Sequence, residues 1–333
     1  MSLSTPIKTV KALVFRASVG NALNRFRLKP GSRILFKAEK KSDADAREKA
    51  GYIRYMFDEY MRFIDQTGRS LQDQRVLELG PGDNFGVALL CLAKGTRQVV
   101  CLDKYAAVRD LEFERRVYWA LRETLTGEEQ ARFDASVIID GGPKFNPEVF
   151  VSIDDCPIEE ADRRLSEEPF DFVLSRSVLE YLKNPERAFD MMDHLLKPGG
   201  MMVHKVDVRD DGMFSAAGHH PLTFLTLPDS TYQRMTSHSY RPNRWRLAAF
   251  RDLLSRYKCD ARFPVSHILG HEKELEEPVL ALKDGQHYRR EDVNRVKDIR
   301  SQLVEPFKTV STEDLLATGF FVLVEKHLVD HAV

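Results

Sequence analysis

The sequence predicts an α/β fold with a doubly wound, mostly parallel β-sheet. Short apolar segments alternate with longer amphipathic ones, which is typical of strands joined by crossover helices. A glycine-rich turn, Gly80-Pro81-Gly82, joins the first of these strands to a helix. Two late apolar segments, near residues 261–269 and 319–324, have no equally convincing helix between them. They indicate that the sheet ends in an antiparallel hairpin.

The predicted elements follow one another along the chain. The first helix covers about 43–66, because apolar residues such as Ile53, Phe57 and Tyr60 share one face and Gly68 follows as a C-terminal cap. The other predicted strands are 75–79, 98–102, 149–153, 170–174 and 200–206, and the other helices are 85–94, 106–133 with a break at Thr126-Gly127, 186–196 and 246–257.

These elements predict one domain over residues 43–328, preceded by an extension of residues 1–42. A polar and aromatic stretch at about 208–245 interrupts the expected return to a helix. We expect it to be an insertion that forms a lid over a bound substrate.

The N-terminal extension is strongly basic. Residues 1–41 hold ten Lys and Arg against a single acid, Glu39. Apolar residues at helical spacing lie among them, namely Val10, Leu13, Val14 and Ala17. The favoured interpretation is a solvated arm that packs loosely on the domain. The alternative is a peripheral membrane helix, or one that meets another anionic partner.

Composition bounds the function further. The chain has 333 residues, 43% hydrophobic and 30% charged, with a net charge of −1, so a general nucleic-acid coat is not expected. No apolar run is long enough to span a bilayer and no secretory signal is apparent, which favours the cytoplasm, with a peripheral place at the inner membrane surface as the alternative. The four cysteines form no CxxC pair, and no residue spacing predicts a metal site.

The glycine turn is a candidate cofactor site. A tight glycine turn lets a ligand approach the backbone, and the following helix offers free N–H groups. In open α/β sheets ligands bind beyond the carboxyl ends of the strands. The turn alone is weak evidence for any one cofactor, because proteins that bind dinucleotides share it.

Acidic residues at three strand ends sharpen this prediction. Glu78 precedes the turn, where a carboxylate suits the cationic amino-acid end of S-adenosylmethionine better than an anionic pyrophosphate. Asp103 ends the second strand, where it can accept hydrogen bonds from both ribose hydroxyls. Asp154 and Asp155 end the third strand, where one of them accepts a bond from the adenine amino group or merely starts a turn. The choice between these two aspartates stays open.

With these residues in place, the chain resembles class I S-adenosylmethionine-dependent methyltransferases over roughly residues 46–326. Val76–Gly82 is similar to the first motif of that family, Asp103 to its acid after the second strand and Phe170–Leu182 to its fourth-strand motif. Leu196–Gly200 resembles the turn before the fifth strand. The resemblance implies a Rossmann-like sheet, S-adenosyl-L-methionine as cofactor, and a set of cofactor-binding residues: Glu78, Gly80, Pro81, Gly82, Asp103, Asp154, Asp155, Ser175 and Arg176.

Two details modify the resemblance. Asn84 replaces the usual third glycine of the first motif, and Gly86 follows two positions later. The segments His204–Asp210 and Arg241–Arg246 resemble a bacterial subgroup associated with modification of sugars or surface polysaccharides. That second resemblance implies a small-molecule or glycan acceptor, methylated on a hydroxyl oxygen.

A hydroxyl acceptor needs a general base beyond the carboxyl ends of the fourth and fifth strands. The candidate catalytic residues are His204, Asp207, Asp210, His219 and His220. For each, an alternative structural role is open: a core histidine, a capping or ion-paired aspartate, or an exposed turn.

Two other functions compete with methyl transfer. An NAD(P)-dependent oxidoreductase shares the glycine turn and Asp103, but Glu78 and the absence of a Tyr-x-x-x-Lys pair argue against it. A non-catalytic binding protein with a methyltransferase fold is the other. A nucleic-acid methyltransferase is disfavoured, because Ser175-Arg176-Ser177-Val178 stands where an Asn-Pro-Pro-aromatic signature is expected, so no specific nucleic acid partner is predicted. The sequence does not predict an oligomeric state.

Overall fold

The structure is a computed structural model that describes residues 9–27, 33–35, 42–165 and 168–328. Lys8, Lys29, Lys37, Lys40 and Lys41 of the basic extension lie outside the described residues. Chain contacts divide the protein into two units. The described part of the first unit comprises residues 9–27, 177–185 and 205–322, and that of the second comprises 33–35, 42–165, 168–176, 186–204 and 323–328.

The secondary structure alternates as the sequence predicts. The helices are α1 (Val10–Arg27), α2 (Asp43–Asp65), α3 (Gly86–Ala93), α4 (Leu111–Glu123), α5 (Gly127–Ser136), α6 (Pro185–Leu195), α7 (Asp229–Thr236), α8 (Leu247–Leu254), α9 (Arg290–Arg300) and α10 (Thr312–Leu316). The strands are β1 (Arg33–Leu35), β2 (Arg75–Leu79), β3 (Gln98–Leu102), β4 (Ala106–Val108), β5 (Val137–Ile138), β6 (Lys144–Phe145), β7 (Phe150–Ile153), β8 (Phe170–Arg176), β9 (Leu196–Asp207), β10 (Cys259–Arg262), β11 (Val265–Ile268) and β12 (Ala317–Lys326).

The second unit holds the parallel part of the sheet. Within it the strand order is β9-β8-β2-β3-β7, and β2 pairs in parallel with both β3 and β8 while β3 pairs in parallel with β7. From β2 the chain runs outward through β3 to β7 and then returns to β8 on the other side of β2. That reversal is the switch point at which α/β sheets bind ligands. The predicted doubly wound, mostly parallel sheet is confirmed.

The first unit contains the late strands. Here β10 and β11 both lie beside β12, and β11 pairs with β12 in antiparallel fashion. The expected antiparallel pairing of the late strands is therefore present, but helices α9 and α10 lie between β11 and β12 in the chain, so the two strands do not form a hairpin. The prediction of a helix from residue 106 is wrong at its start: Ala106–Val108 forms strand β4, paired with β1. The helix begins later because the Asp110 side chain accepts a hydrogen bond from the Phe113 amide and caps it.

Helix α2 shows how the sequence positions the second unit. Ser42 and Asp45 form a capping box at its start, and its apolar face, including Ile53 and Phe57, is buried. A Cβ atom at Gly86 would lie 2.7 Å from the Cδ1 of Ile53. Only glycine therefore lets α3, the helix that follows the glycine turn, pack so closely against α2.

Candidate functional site

The glycine turn has the open shape that a cofactor needs. Gly80 and Gly82 adopt left-handed φ angles of 64° and 74°, which favour glycine. A Cβ atom added at Gly82 would meet no atom within 4 Å, so the backbone here borders open space. The turn follows β2 at the switch point, where Leu79 pairs in register with Ser175.

Asn84 completes the turn in place of the missing glycine. Its Oδ1 atom accepts a hydrogen bond of 2.8 Å from the amide of Gly86, the first residue of α3. Its Nδ2 atom donates to Asp83, whose carboxylate also pairs with Lys49 at 3.0 Å. The departure from the family pattern thus uses one N–H group at the helix start to fix the turn, and leaves the space at Gly82 open.

Glu78 lies buried at the end of β2 in the second unit. The Sγ of Cys101 donates to its Oε2 at 3.5 Å. Burial raises the pKa of Glu78 to about 7, and the nearby Arg109 only partly offsets this. Because a buried carboxylate is stabilised by a cation, the site fits the ammonium group at the amino-acid end of S-adenosylmethionine.

The acids after β3 and β7 are differently placed. Asp103 accepts a hydrogen bond of 3.0 Å from the Tyr105 amide, and burial raises its pKa, with the Asp154 charge raising it further. Asp154 is therefore near enough to interact with Asp103. Asp155 instead adopts a left-handed φ of 57°, the conformation of a turn residue. Of the two candidates, Asp154 has the better position for a cofactor contact.

The side chains of Ser175 and Arg176, at the end of β8, already interact with other residues of the second unit. Ser175 is buried, and its Oγ lies 2.7 Å from the Nδ1 of His204. The Arg176 guanidinium pairs with the Glu59 carboxylate and lies over the ring of Tyr52 at 5.6 Å from its centroid. Burial lowers the pKa of Arg176, but Glu59 more than offsets this and the net shift is upward. Any cofactor contact from Ser175 or Arg176 is therefore expected from the backbone.

Two of the catalytic candidates, His204 and Asp210, are buried. His204 is fully buried in the second unit, and burial lowers its pKa to about 3, so it is neutral. In the first unit, Asp210 is buried and accepts hydrogen bonds from the Gly212, Phe214 and Ser215 amides and from the Ser215 hydroxyl. These surroundings favour a structural role for His204 and Asp210.

Two histidines of the predicted lid also differ in their surroundings. The Nδ1 of His220 accepts a hydrogen bond from the Leu222 amide, so its Nε2 donates to the Arg295 carbonyl at 2.9 Å. Both nitrogens are thereby used, and burial lowers the pKa of this imidazole. His219 is half-buried, and its amide donates to the Phe214 carbonyl at 3.2 Å.

Asp207, like the buried Asp210, borders a cleft. The cleft lies within the first unit and has a volume of about 270 Å³. The Asp207 carboxylate receives hydrogen bonds from Arg209 at 2.9 and 3.0 Å, which, against the effect of burial, lower its pKa. The lining residues are Tyr181, Asp207, Arg209, Asp210, Asp211, Gly212 and Ser215.

Sequence reasoning missed Glu180, the buried carboxyl beside this cleft. Its Oε1 accepts a hydrogen bond of 3.3 Å from the amide of Asp207, and its Oε2 has no hydrogen-bond partner among the described residues. Burial raises the pKa of Glu180 to about 8, and the Asp207 charge adds to the effect. The signal was an acid inside the apolar turn that directly follows β8.

Strand β11 of the first unit supplies a second unpredicted group, His267. Its Nδ1 lies 2.7 Å from the Thr318 Oγ1, and its Nε2 is buried with no partner among the described residues. Burial lowers the pKa of His267, and Asp207 and Arg209 both act on it electrostatically. Glu180, Asp207 and His267 thus form one polar group around the end of β9.

The arginine-rich segment Arg241–Arg246 stabilises this region. Asn243 donates to the Leu179 and Leu182 carbonyls at 2.9 and 3.2 Å, and so fixes the turn that carries Glu180. Arg246 is buried and donates to backbone carbonyls, among them that of Val208 at 2.7 Å. Among the described residues, no group of three or more His, Cys, Asp or Glu side chains is arranged to hold a metal ion.

Comparison with known proteins identifies the domain. A family model described as "Methyltransferase domain" matches residues 52–258, more than half of the chain. No curated protein matches the sequence.

Solved structures give weaker likenesses. The plantazolicin methyltransferase BpumL in complex with SAH is 10% identical, with 94% of this chain and 97% of that chain covered and a TM-score of 0.42. An S-adenosylmethionine-dependent methyltransferase from Mesorhizobium loti is 14% identical, with 77% and 93% covered and a TM-score of 0.36. The phosphoethanolamine N-methyltransferase 2 of Haemonchus contortus is 15% identical, with 86% and 57% covered and a TM-score of 0.39.

Proposed function

The chain belongs to the methyltransferase-domain family, and on that premise we propose that it methylates a hydroxyl oxygen of a small-molecule or glycan acceptor. It is an S-adenosylmethionine-dependent methyltransferase, and the family match favours this activity over an oxidoreductase. The observation that supports a hydroxyl acceptor is the Glu180 carboxyl, which is buried and has one oxygen without a partner among the described residues. A hydroxyl must lose its proton during transfer, and the ionised form of this carboxyl, whose pKa is about 8, is a base of suitable strength to accept it.

The proposed cofactor site comprises the glycine turn, Glu78, Asp103 and Asp154. When bound, S-adenosylmethionine supplies an activated methyl group on a sulfonium. Glu78 meets the ammonium group, Asp103 accepts hydrogen bonds from the ribose hydroxyls, and Asp154 is the better candidate for the adenine amino group. The enzyme's remaining task is to orient the acceptor and exclude water.

The proposed acceptor side uses the first unit. Glu180 follows β8 and Asp207 ends β9, so both follow the carboxyl ends of strands, where α/β sheets bind ligands. Asp207 orients the acceptor together with Arg209, and Glu180 takes the proton. The predicted catalytic roles of His219 and His220 are not needed for this scheme and stay untested, as does membership of the sugar-modifying subgroup.

Transfer of a labelled methyl group to sugars and lipid-linked glycans tests this function. Mass spectrometry of the product must place the methyl group on an oxygen. Glu180→Gln is expected to lower kcat by about 100-fold or more, while S-adenosylhomocysteine affinity stays within about twofold. Glu276→Gln, at an exposed carboxylate of the same unit, is the matched control and should leave kcat unchanged.

Methylation of a nitrogen or carbon instead would remove the hydroxyl assignment. Full activity of Glu180→Gln would remove Glu180 as the base.

The acceptor is not the only partner that we propose. We also propose that the basic segment of residues 1–41 binds an anionic partner.

A further inference from the structure

The outward face of α1 is an apolar stripe with basic edges. Phe15, Val19 and Leu23 are 71%, 45% and 50% exposed. At about 100° per residue, these three and the exposed Ala12 and Ala22 lie within one arc of roughly 100°.

Basic residues border the stripe on both sides. Lys11 and Arg25 lie at one edge and Arg16 at the other, and all three are exposed. None of them forms an ion pair with any residue that the structure describes, and α1 contains no acidic residue. An apolar stripe between basic edges is the pattern of a helix that lies in a lipid headgroup region.

The opposite face of α1 is fixed to the protein. Asn21 is buried, and its Nδ2 donates to the Arg234 carbonyl and the Ser237 hydroxyl, each at 2.9 Å. Its Oδ1 accepts from the His238 amide at 2.6 Å. The apolar residues on which the sequence interpretation of a membrane helix depended also face inward, where Val10, Leu13, Val14 and Ala17 pack against the core of the first unit.

We propose that α1 is docked to the first unit by one face and binds an anionic lipid surface with the other. This inference rests on the proposal that the basic segment meets an anionic partner, and not on the chemistry of methyl transfer. The two basic edges favour lipid over a second copy of the chain, since pairing two such stripes places like charges side by side. No helix among the described residues is long and apolar enough to cross a membrane, so the proposed lipid contact of α1 is peripheral.

Vesicle flotation of the full chain tests this inference. Phosphatidylcholine vesicles with about one third phosphatidylglycerol are expected to bind the protein, whereas pure phosphatidylcholine binds it weakly. Replacing Phe15, Val19 and Leu23 together with Ser should abolish binding. Replacing Lys11, Arg16 and Arg25 together with Glu should weaken it by roughly 100-fold or more, since each basic residue near such a surface contributes about fivefold.

The matched control removes similar apolar exposure elsewhere. Leu111, Ile138 and Leu280 are 55%, 64% and 62% exposed, and their triple replacement with Ser should leave vesicle binding unchanged. Thermal unfolding and S-adenosylhomocysteine titration of each variant check that the fold and the cofactor site are intact. The proposed lipid contact and the proposed cofactor site can therefore be contradicted independently of each other.

Four outcomes would overturn the inference. The first two are no preference for anionic vesicles, and equal binding by the wild type and the Phe15, Val19 and Leu23 variant. The third is a wild-type dimer in solution that the same variant converts to a monomer without any vesicle binding, which would assign the stripe to a second copy of the chain. The fourth is binding of an acidic protein but not of vesicles.

Discussion

The Oγ of Ser175 and the Nδ1 of His204 lie 2.7 Å apart in the buried part of the second unit. The other imidazole nitrogen, Nε2, is also buried and has no partner among the described residues. An imidazole in such surroundings stays neutral, because burial disfavours its charged form. His204 thus contributes to the pH dependence of folding, whatever part it has in catalysis.

Stability should fall with acidification partly through His204. Its folded pKa of about 3 lies below its unfolded value near 6.5, so the unfolded chain binds the proton first. This part of the stability is present above about pH 6.5 and is lost as pH falls toward 3. Between pH 6.5 and 5 the loss is about 2 kcal/mol. Urea unfolding of the wild type and His204→Gln measures it, and an identical pH slope in both proteins would contradict the buried neutral imidazole.

Cofactor affinity should rise with pH through the ionisation of Glu78. The carboxyl has a pKa of about 7 and must lose its proton to meet an ammonium group. We expect S-adenosylhomocysteine to bind up to about tenfold more tightly at pH 8 than at pH 6, because the ionised fraction of the carboxyl falls about tenfold for each pH unit below the pKa. Glu78→Gln should bind weakly with no such trend, whereas the exposed Glu123→Gln should keep the wild-type profile. A flat wild-type profile would argue against this contact.

Substitutions of the two aspartates after β7 should differ in their effect on cofactor affinity. Asp154→Asn is expected to weaken S-adenosylhomocysteine binding by about tenfold, the typical loss of one charged hydrogen bond. Asp155→Gly should leave the affinity within about twofold, since glycine tolerates the left-handed φ of 57°. Asp155→Val should destabilise the fold by about 1 kcal/mol or more. Reversed effects on affinity would exchange their assignments.

Two glycines in contrasting surroundings test the packing beneath the cofactor turn. Gly86→Ala should cost about 1–3 kcal/mol, because the new Cβ meets Ile53, and should cost less in an Ile53→Ala background. Gly51→Ala, in α2 with nothing within 4 Å, should stabilise the protein by about 0.5–1 kcal/mol. Equal effects of the two substitutions, measured by chemical denaturation, would contradict the close approach of α3 to α2.

Much of the second unit was predictable from the sequence. The strand boundaries at Arg75–Leu79 and Gln98–Leu102 agree with the prediction because each apolar run is bounded by polar residues or a glycine turn. The acids Glu78 and Asp103 were found because their positions at strand ends follow from local sequence. Helix α9 of the first unit, in contrast, was not predicted. Its sequence is mostly charged, and only a few residues, such as Val296 and Ile299, face the core.

The acceptor side could not be predicted in the same way. Glu180 becomes a candidate base only because it is buried against the amide of Asp207, which is distant in sequence. His267 owes its surroundings to Thr318 in another strand. Such groups depend on tertiary contacts, and a single sequence does not reveal them. The inward orientation of Val10 and Leu13 in α1 is a further example.

Isothermal titration of the purified protein with S-adenosylhomocysteine, with NAD and NADP alongside, tests the cofactor site most directly. We expect S-adenosylhomocysteine alone to bind. Asp103→Ala and Gly80→Arg should weaken or abolish that binding without unfolding the chain, because the first removes the ribose acceptor and the second fills a turn with φ of 64°. Binding of a nicotinamide cofactor instead, or unchanged S-adenosylhomocysteine affinity in both variants, would contradict the assignment of this site.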